Sequence, residues 1–368
     1  VADGIRCMLM RGGTSKGAYF LAEDLPGDPA ERDDLLLRVM GSPDRAQIDG
    51  LGGAHPLTSK VAIVSRSGDA GVDLDYVFLQ VAVDEASVSD AQTCGNLLAG
   101  IGPFALERGL VDAGGELTTV RIRLRNTGDL ATQTFATPGG RVDYDGAESA
   151  MDVAIDGVPG TAARIDIELE RPESALLLPT GNVVDDLDGH RVTLIDNGMP
   201  VVLLRGADFG VAGDEPPEQL ETNAELAAAV ERLRLLAGPL MGLGDVTDAT
   251  VPKMFLLSPP LHGGAIATRA FIPRRVHTSI GMLMAASVAA GVCIPGTVAA
   301  DLANPPDDGA VEIEHPGGTI PSHVSVGRTD DDVWRATSAS VRTARKIFDG
   351  LVFPRPRRQT SPSERTAR

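Results

Sequence analysis

The sequence predicts an α+β fold of two pseudo-symmetric domains, each a strand-rich shell around a central apolar helix. Three observations carry this. One order of segments runs twice along the 368 residues. The 42 glycines and 25 prolines suit a turn-rich chain of strands better than a helical bundle. Each copy also holds one almost chargeless helical stretch, which a surrounding shell must cover. With 43% hydrophobic and 23% charged residues the chain can form a packed core, and its length fits about two domains.

The first copy opens with Cys7-Met8-Leu9-Met10, a Gly-rich turn from Arg11 to Gly17, and an apolar run from Ala18 to Leu21. The second opens with Val192 to Ile195, the turn Asp196-Asn197-Gly198, and Val201 to Leu204. Both read as strand, turn, strand. A helix follows in each. Asp28-Pro29-Ala30-Glu31 is a capping-box start with proline at the first helical position, and Gly41 is its stop. The counterpart spans about Asn223 to Ala237, ended by Gly238-Pro239. Then come Gly50-Leu51-Gly52 and Gly242-Leu243-Gly244, followed by strands that begin at Lys60 and Lys253. A further strand follows in each copy, from Tyr76 to Val83 and from Ala265 to Ile272.

The chargeless helices start at Thr93-Cys94-Gly95-Asn96 and Ser279-Ile280-Gly281-Met282. Apolar residues at 97, 98, 101, 104 and 105 have helical spacing, and Pro103 predicts a kink. Residues 280–300 carry no charge, but Pro295 stops a helix after about 14 residues, short of the ~20 that span a bilayer. Short strands return at Val120 to Leu124 and Val311 to Glu314. The expected domains are 1–182 and 183–353, with the last strands free to return to the first. The Arg-, Pro- and Ser-rich tail 354–368 is expected to be disordered.

Composition excludes several roles. A net charge of −18 repels nucleic acid and anionic lipid, and 4% aromatics leave little for base stacking. Cys7, Cys94 and Cys293 are too few for a disulfide framework and fit reduced thiols in a cytoplasm. The first residues lack the basic start and apolar core of a secretion signal. No paired histidines or Cys-x-x-Cys spacing indicate a metal site. The run from Arg11 to Gly17 lacks the Gly-Lys-Ser/Thr order of a phosphate loop, and no Ser-His-Asp pattern stands out. Edge strands in such a fold would support a homodimer.

Two similar halves place a ligand between them. If both buried helices point their N-termini at that cleft, their free N–H groups suit a small molecule with at least two carboxylates, and Gly95 and Gly281 allow close approach. The alternative is two ordinary helix starts packed through small residues. Cys94 weighs against it, because a helix start favours the reactive thiolate over an inert buried thiol. Only four of the 33 basic residues are lysine, Lys16, Lys60, Lys253 and Lys346, and a lysine here reads either as an amine kept for its chemistry or as a chance survivor. Lys60 can take a proton when neutral, or stabilise an enolate as ammonium. Lys253 can do the same from the other half, or anchor a carboxylate, which is the preferred reading. His277, just before the second helix, is a substrate contact or an ordinary hydrogen-bonded histidine. The second-half equivalent of Cys94 is Ile280, which carries no proton, so racemisation by two thiols is excluded. Cys94 with Lys60 suits a proton shift between neighbouring atoms of one substrate.

At these residues the chain resembles the PrpF family, which has the diaminopimelate-epimerase-like fold. The likeness rests on Arg11 to Gly17, Gly50 to Val64 and Cys94 to Phe104, and extends to about Phe353. Within the family, Ala18-Tyr19-Phe20, Ile48-Asp49-Gly50, Phe104 to Val111 and Ile195 to Pro200 are most similar to the branch that tautomerises 4-oxalomesaconate in gallate breakdown. The other well-known branch isomerises 2-methylaconitate. The resemblance implies a cofactor-independent isomerase of an unsaturated tricarboxylate, with acid–base roles on Lys60 and Cys94. It implies substrate contacts at Ser15, at Gly53, Ala54, His55, Pro56 and Leu57, and at Gly95, Asn96, Lys253 and Ser279. His277, Gly281 and Met284, around the start of the second helix, are further candidate contacts. A non-catalytic partner of an aconitase-like enzyme and a simple anion-binding protein are the readings from other classes.

Overall fold

The computed structural model describes residues 4–172, 174–272, 275–304 and 310–357. Strands β1 (Ile5–Gly12) and β2 (Ser15–Leu21) form an antiparallel hairpin. Helix α1 (Pro29–Met40) starts where Asp28 accepts a hydrogen bond from the Glu31 amide, and stops at Gly41, whose φ of 85° a side chain would disfavour. Strand β3 (Lys60–Arg66) lies parallel to β2 and antiparallel to β4 (Leu74–Val81), which carries the short β5 (Val88–Ser89). Helices α2 (Gly95–Leu98) and α3 (Ile101–Glu107) follow. Then β6 (Leu117–Leu124) runs parallel to β4 and antiparallel to β7 (Leu130–Ala136). Beyond a small separate ribbon of β8 (Asp152–Ala154) and β9 (Thr161–Ala163), β10 (Ile165–Glu170) pairs antiparallel with β7.

The second half repeats this order of parallel and antiparallel pairings. After β11 (Asp185–Leu187), the hairpin is β12 (His190–Asp196) and β13 (Pro200–Arg205). Helices α4 (Pro217–Thr222) and α5 (Ala224–Leu240) come next. Strand β14 (Lys253–Ser258) is parallel to β13 and antiparallel to β15 (Ile266–Ile272), which carries β16 (Arg275–Val276). Past helix α6 (Met282–Cys293), β17 (Ala310–His315) is parallel to β15, and β18 (Gly318–Arg328) and β19 (Trp334–Arg342) add antiparallel. The halves interlock through β10 and β19, which pair with each other. The last strand, β20 (Ala344–Val352), returns to pair with β1.

Each sheet is covered on two faces. Val61 and Ile63 of β3 face the amphipathic α1, whereas Ala62 and Val64 face the core around α2 and α3. In the second half Met254 and Leu256 face α5, and Phe255 and Leu257 face α6. The inner faces and their helices form one continuous core across both halves. Helix α6 is buried from Met282 to Val292, which explains its lack of charge. No helix among the described residues is long and apolar enough to cross a membrane.

Three local expectations need correction. Helix α5 runs through Gly238-Pro239 to Leu240, because a proline this near the end interrupts only the exposed last turn. In the first-half helix the break falls at Ala99-Gly100, before Pro103. Buried Gln133 bridges it, donating to the Leu98 and Ala99 carbonyls (3.1 and 3.0 Å) and accepting from the Gly102 amide (2.6 Å). Pro103 sits in the first turn of α3, where its missing N–H costs nothing. The tail follows α1 as far as Arg357: Arg38 donates to the Arg355 carbonyl (2.8 Å) and Arg357 to Asp34 (3.0 Å). Residues 358–368 lie outside the described residues.

Candidate active site

Lys60 and Lys253 hold equivalent places. Each begins a strand laid parallel on the second strand of its hairpin, with Gly17 opposite Lys60 and Val201 opposite Lys253. Strand alternation puts Lys60 on the face of Ala62 and Val64, and Lys253 on that of Phe255 and Leu257. Both amines therefore enter from the inner faces, and both residues are buried, at 8% and 2% exposure. Lys60 donates to Gln80 Oε1 (3.1 Å) and lies 4.9 Å above the Phe78 ring. Gln80 Nε2 donates to the Ser59 and Pro56 carbonyls (2.8 and 3.1 Å), so one side chain holds both the amine and the preceding loop. Burial, with the cations Lys60 and Arg234 nearby, pushes Lys253 down to about 7, and no carboxylate offsets this.

Cys94 caps α2 and is 9% exposed, with no hydrogen bond from its side chain to the turn. Helix α2 is a single turn, so its macrodipole is small and the dipole argument for Cys94 weakens. The turn itself is held firmly. Buried Tyr76 donates to the Cys94 carbonyl (3.2 Å) and buried Tyr19 to the Leu97 carbonyl (2.6 Å). Asn96 Nδ2 donates to Thr14 Oγ1 (3.0 Å) and Ser15 Oγ (3.4 Å). A Cβ on Gly95 would lie 2.6 Å from Met282 Cε and 3.2 Å from Leu283 Cγ, so the starts of α2 and α6 touch. The N-cap of α6 is Gly281, which shifts the equivalent of Cys94 one residue on from Ile280. Glycine is equally without a titratable group.

A cavity of about 300 Å³ opens beside these helix starts. The first half contributes Ser15, His55, Pro56, Leu57 and Lys60, then Cys94, Gly95 and Asn96. The second contributes Lys253, His277, Gly281 and Met284. Three expected residues are not among the lining. Gly53 and Ala54 are exposed, and the Ala54 amide is tied to buried Gln47 (3.0 Å). Ser279 faces a second cavity.

His277 is a hydrogen-bonded histidine in the cavity wall. It lines the cavity, and its Nδ1 accepts from the Ser279 amide (3.0 Å), which leaves Nε2–H as a donor. Burial, then Lys60 and Lys253, push it down to about 4, so it is neutral at pH 7. Gln80, Gln92, Thr278, Glu218 and Glu221 also line the cavity and were not anticipated. Gln80 is the register partner of Lys60, a relation visible only once the strands are paired. Cys7 and Cys293 are the inert thiols expected; burial pushes Cys7 up to about 12.

The chamber thus joins a thiol and an amine from one half to a second amine and a neutral imidazole from the other. Such a set can hold carboxylates and exchange protons with a carbon acid. The family described as PrpF protein matches residues 3–355. The chain belongs to the PrpF family. It is 54% identical over 357 residues to a (4E)-oxalomesaconate Delta-isomerase of Novosphingobium sp. (strain KA1), covering 95% of this chain and 98% of that one. It is 51% identical over 353 residues to a 4-oxalomesaconate tautomerase of Pseudomonas putida, covering 95% of each. The crystal structure of a methylitaconate-delta-isomerase superposes with a TM-score of 0.77 at 32% identity, covering 98% of this chain and 99% of that one. The α+β architecture of this PrpF chain is diaminopimelate-epimerase-like.

Proposed function

We propose that this PrpF protein is an isomerase that moves a proton across three atoms of an unsaturated tricarboxylate, with 4-oxalomesaconate as substrate. The observation that carries the reading is that Lys60 and Cys94, from one half, line the same cavity as Lys253 from the other. A proton beside a keto group or a conjugated double bond is acidified by the oxyanion that its removal creates. Lys60 and Cys94 exchange that proton with the two ends of the three-atom unit. Cys94 has no hydrogen bond to its own turn, so its thiol is available to the substrate. Lys253, Ser15, Asn96 and the His277 Nε2–H hold carboxylates. Proximity supplies much of the rate, because the substrate is held between fixed groups.

The alternative substrate, 2-methylaconitate, has weaker support. The relatives at 54% and 51% identity are named for (4E)-oxalomesaconate and 4-oxalomesaconate, and a relative named for 2-methyl-aconitate is 34% identical. Two measurements test the proposal. The purified chain is assayed side by side on both tricarboxylates, without partner or metal. Solvent-deuterium incorporation into 4-oxalomesaconate is then followed in Cys94→Ala and Lys60→Ala. Each variant should lose at least about 100-fold in exchange, the lower range for a positioned acid or base. Undiminished exchange in both would remove the assignment.

A further inference from the structure

On the other side of the touching helix starts lies a second cavity, of about 270 Å³. Asn96 lines both cavities, and Ser279 and Thr14 line only the second. Its buried cation is Arg342, the last residue of β19, opposite Ile165 where the closing strands of the two halves pair. Arg342 is 5% exposed. Its Nη1 donates to the Val341 carbonyl (2.6 Å), but its Nη2 is buried with no hydrogen-bond partner. Beside it in the lining stands His315, 7% exposed, whose Nδ1 accepts from the Gly317 amide (3.1 Å). The ring proton of the neutral imidazole is therefore on Nε2, and Asp156 and the Thr319 backbone already face this ring.

A guanidinium buried without a counter-charge pays desolvation with no return. Here burial alone lowers Arg342 to about 10. The lining includes two acids, Asp156 and Glu312, and both are exposed. Asp156 Oδ2 already accepts from the Thr319 amide (2.8 Å). The planar group that best satisfies a free guanidinium N–H is a carboxylate. Arg342 and His315 line this cavity, and Asn96 lines both it and the chamber of Lys60 and Cys94.

We propose that this second cavity binds a carboxylate group on Arg342 Nη2. Two sources share that chemistry: the far carboxylate of a ligand that extends past Asn96 from the first cavity, and a separate small carboxylate. The proposal does not depend on the isomerase reading, and its readout is binding alone.

The test is calorimetric titration of the full chain with malonate and with tricarballylate, for the native sequence, Arg342→Gln and Lys253→Met. Arg342→Gln should weaken at least one probe by about tenfold or more, the usual loss for a charge-assisted hydrogen bond. If malonate binding depends on Arg342 and survives Lys253→Met, the carboxylate is a separate molecule. If only tricarballylate depends on Arg342, and Lys253→Met weakens it too, one ligand spans both cavities. Unchanged binding of both probes to Arg342→Gln overturns the proposal. Should that variant not fold, a crystal of the native chain grown with malonate decides. A carboxylate within hydrogen-bond distance of Arg342 Nη2 supports the proposal, and Asp156 turned onto Nη2 in its place refutes it.

Discussion

Binding of a polycarboxylate should draw a proton from solution onto Lys253. Burial and two neighbouring cations hold this amine at about 7 in the empty protein. At pH 8 it is then about 0.1 protonated. A carboxylate seated against it supplies the missing counter-charge and returns it toward its ordinary value near 10.4, where it is fully protonated at pH 8. Uptake at pH 8 is thus about 0.9 proton per tricarballylate bound. Above pH 7 each unit of pH should weaken association about tenfold, since the ammonium must first form. The assay is calorimetry at pH 8 in two buffers of different ionisation enthalpy, with the slope giving the proton count. His277, held at about 4, begins neutral and stays neutral at pH 8, so it does not confound the measurement. Lys253→Met should abolish the uptake. A proton count near zero in the native chain would refute the reasoning. The same shift fixes a stability trend in the empty protein. Below about pH 7 both folded and unfolded chains carry the ammonium and its burial penalty is complete. Between about 7 and 10.4 the folded chain binds fewer protons, so this group makes stability rise with pH.

Arg234 is fully buried and donates to the Val246, Ala249 and Val251 carbonyls (2.8, 3.0 and 3.1 Å) in the segment that leads into Lys253. Arg234→Met should cost about 3 kcal/mol in urea unfolding, roughly 1 for each carbonyl left unpaired, and should raise KM more than it lowers kcat. Gln133→Leu strips three partners from the break between α2 and α3. A loss of about 3 kcal/mol is expected, with faster hydrogen exchange at the Leu97 to Gly102 amides. Gly95→Ala places a methyl group 2.6 Å from Met282 Cε, the mobile end of a side chain, and 3.2 Å from Leu283 Cγ. It should cost about 1–3 kcal/mol as overpacking, yet lower kcat/KM more than tenfold, because it parts the two helix starts beside the cavity.

Most of the scaffold could be read from the chain because its signals are local. Asp28 with Gly41 bracketed α1 correctly, since a cap and a left-handed stop depend on neighbours alone. The equivalence of Lys60 and Lys253 was legible for the same reason: each sits between a Gly-rich turn and an apolar run. What escaped was set by partners distant in sequence. Gln133 holds the helix break ahead of Pro103 by donating two hydrogen bonds and accepting one, from another strand. Gln80 reaches Lys60 only because β3 and β4 pair in one register. The two carboxylates Glu218 and Glu221 enter the cavity from α4, a helix of six residues too short for a periodicity to announce. Arg342 looked like any other surface arginine until the joining of β10 and β19 buried it.

The duplication also bears on the one-sided chemistry proposed above. Both halves deliver an amine to the inner face at the first residue of an equivalent strand. Their surroundings then differ. Lys60 has a hydrogen-bond acceptor and an aromatic face, whereas Lys253 has cations for neighbours. The helix caps differ further, with a thiol at Cys94 and nothing titratable at Gly281. In the proposed proton shift Lys60 and Cys94 serve the two ends of the three-atom unit, and the first half holds both. The second half is left to supply an ammonium at Lys253 that an arriving anion completes above pH 7. On that division, replacing Lys253 should lose binding and its proton uptake while leaving exchange at saturating substrate within about tenfold of native. Replacing Cys94 should do the reverse, and a Lys253→Met variant with native affinity would show the division to be wrong.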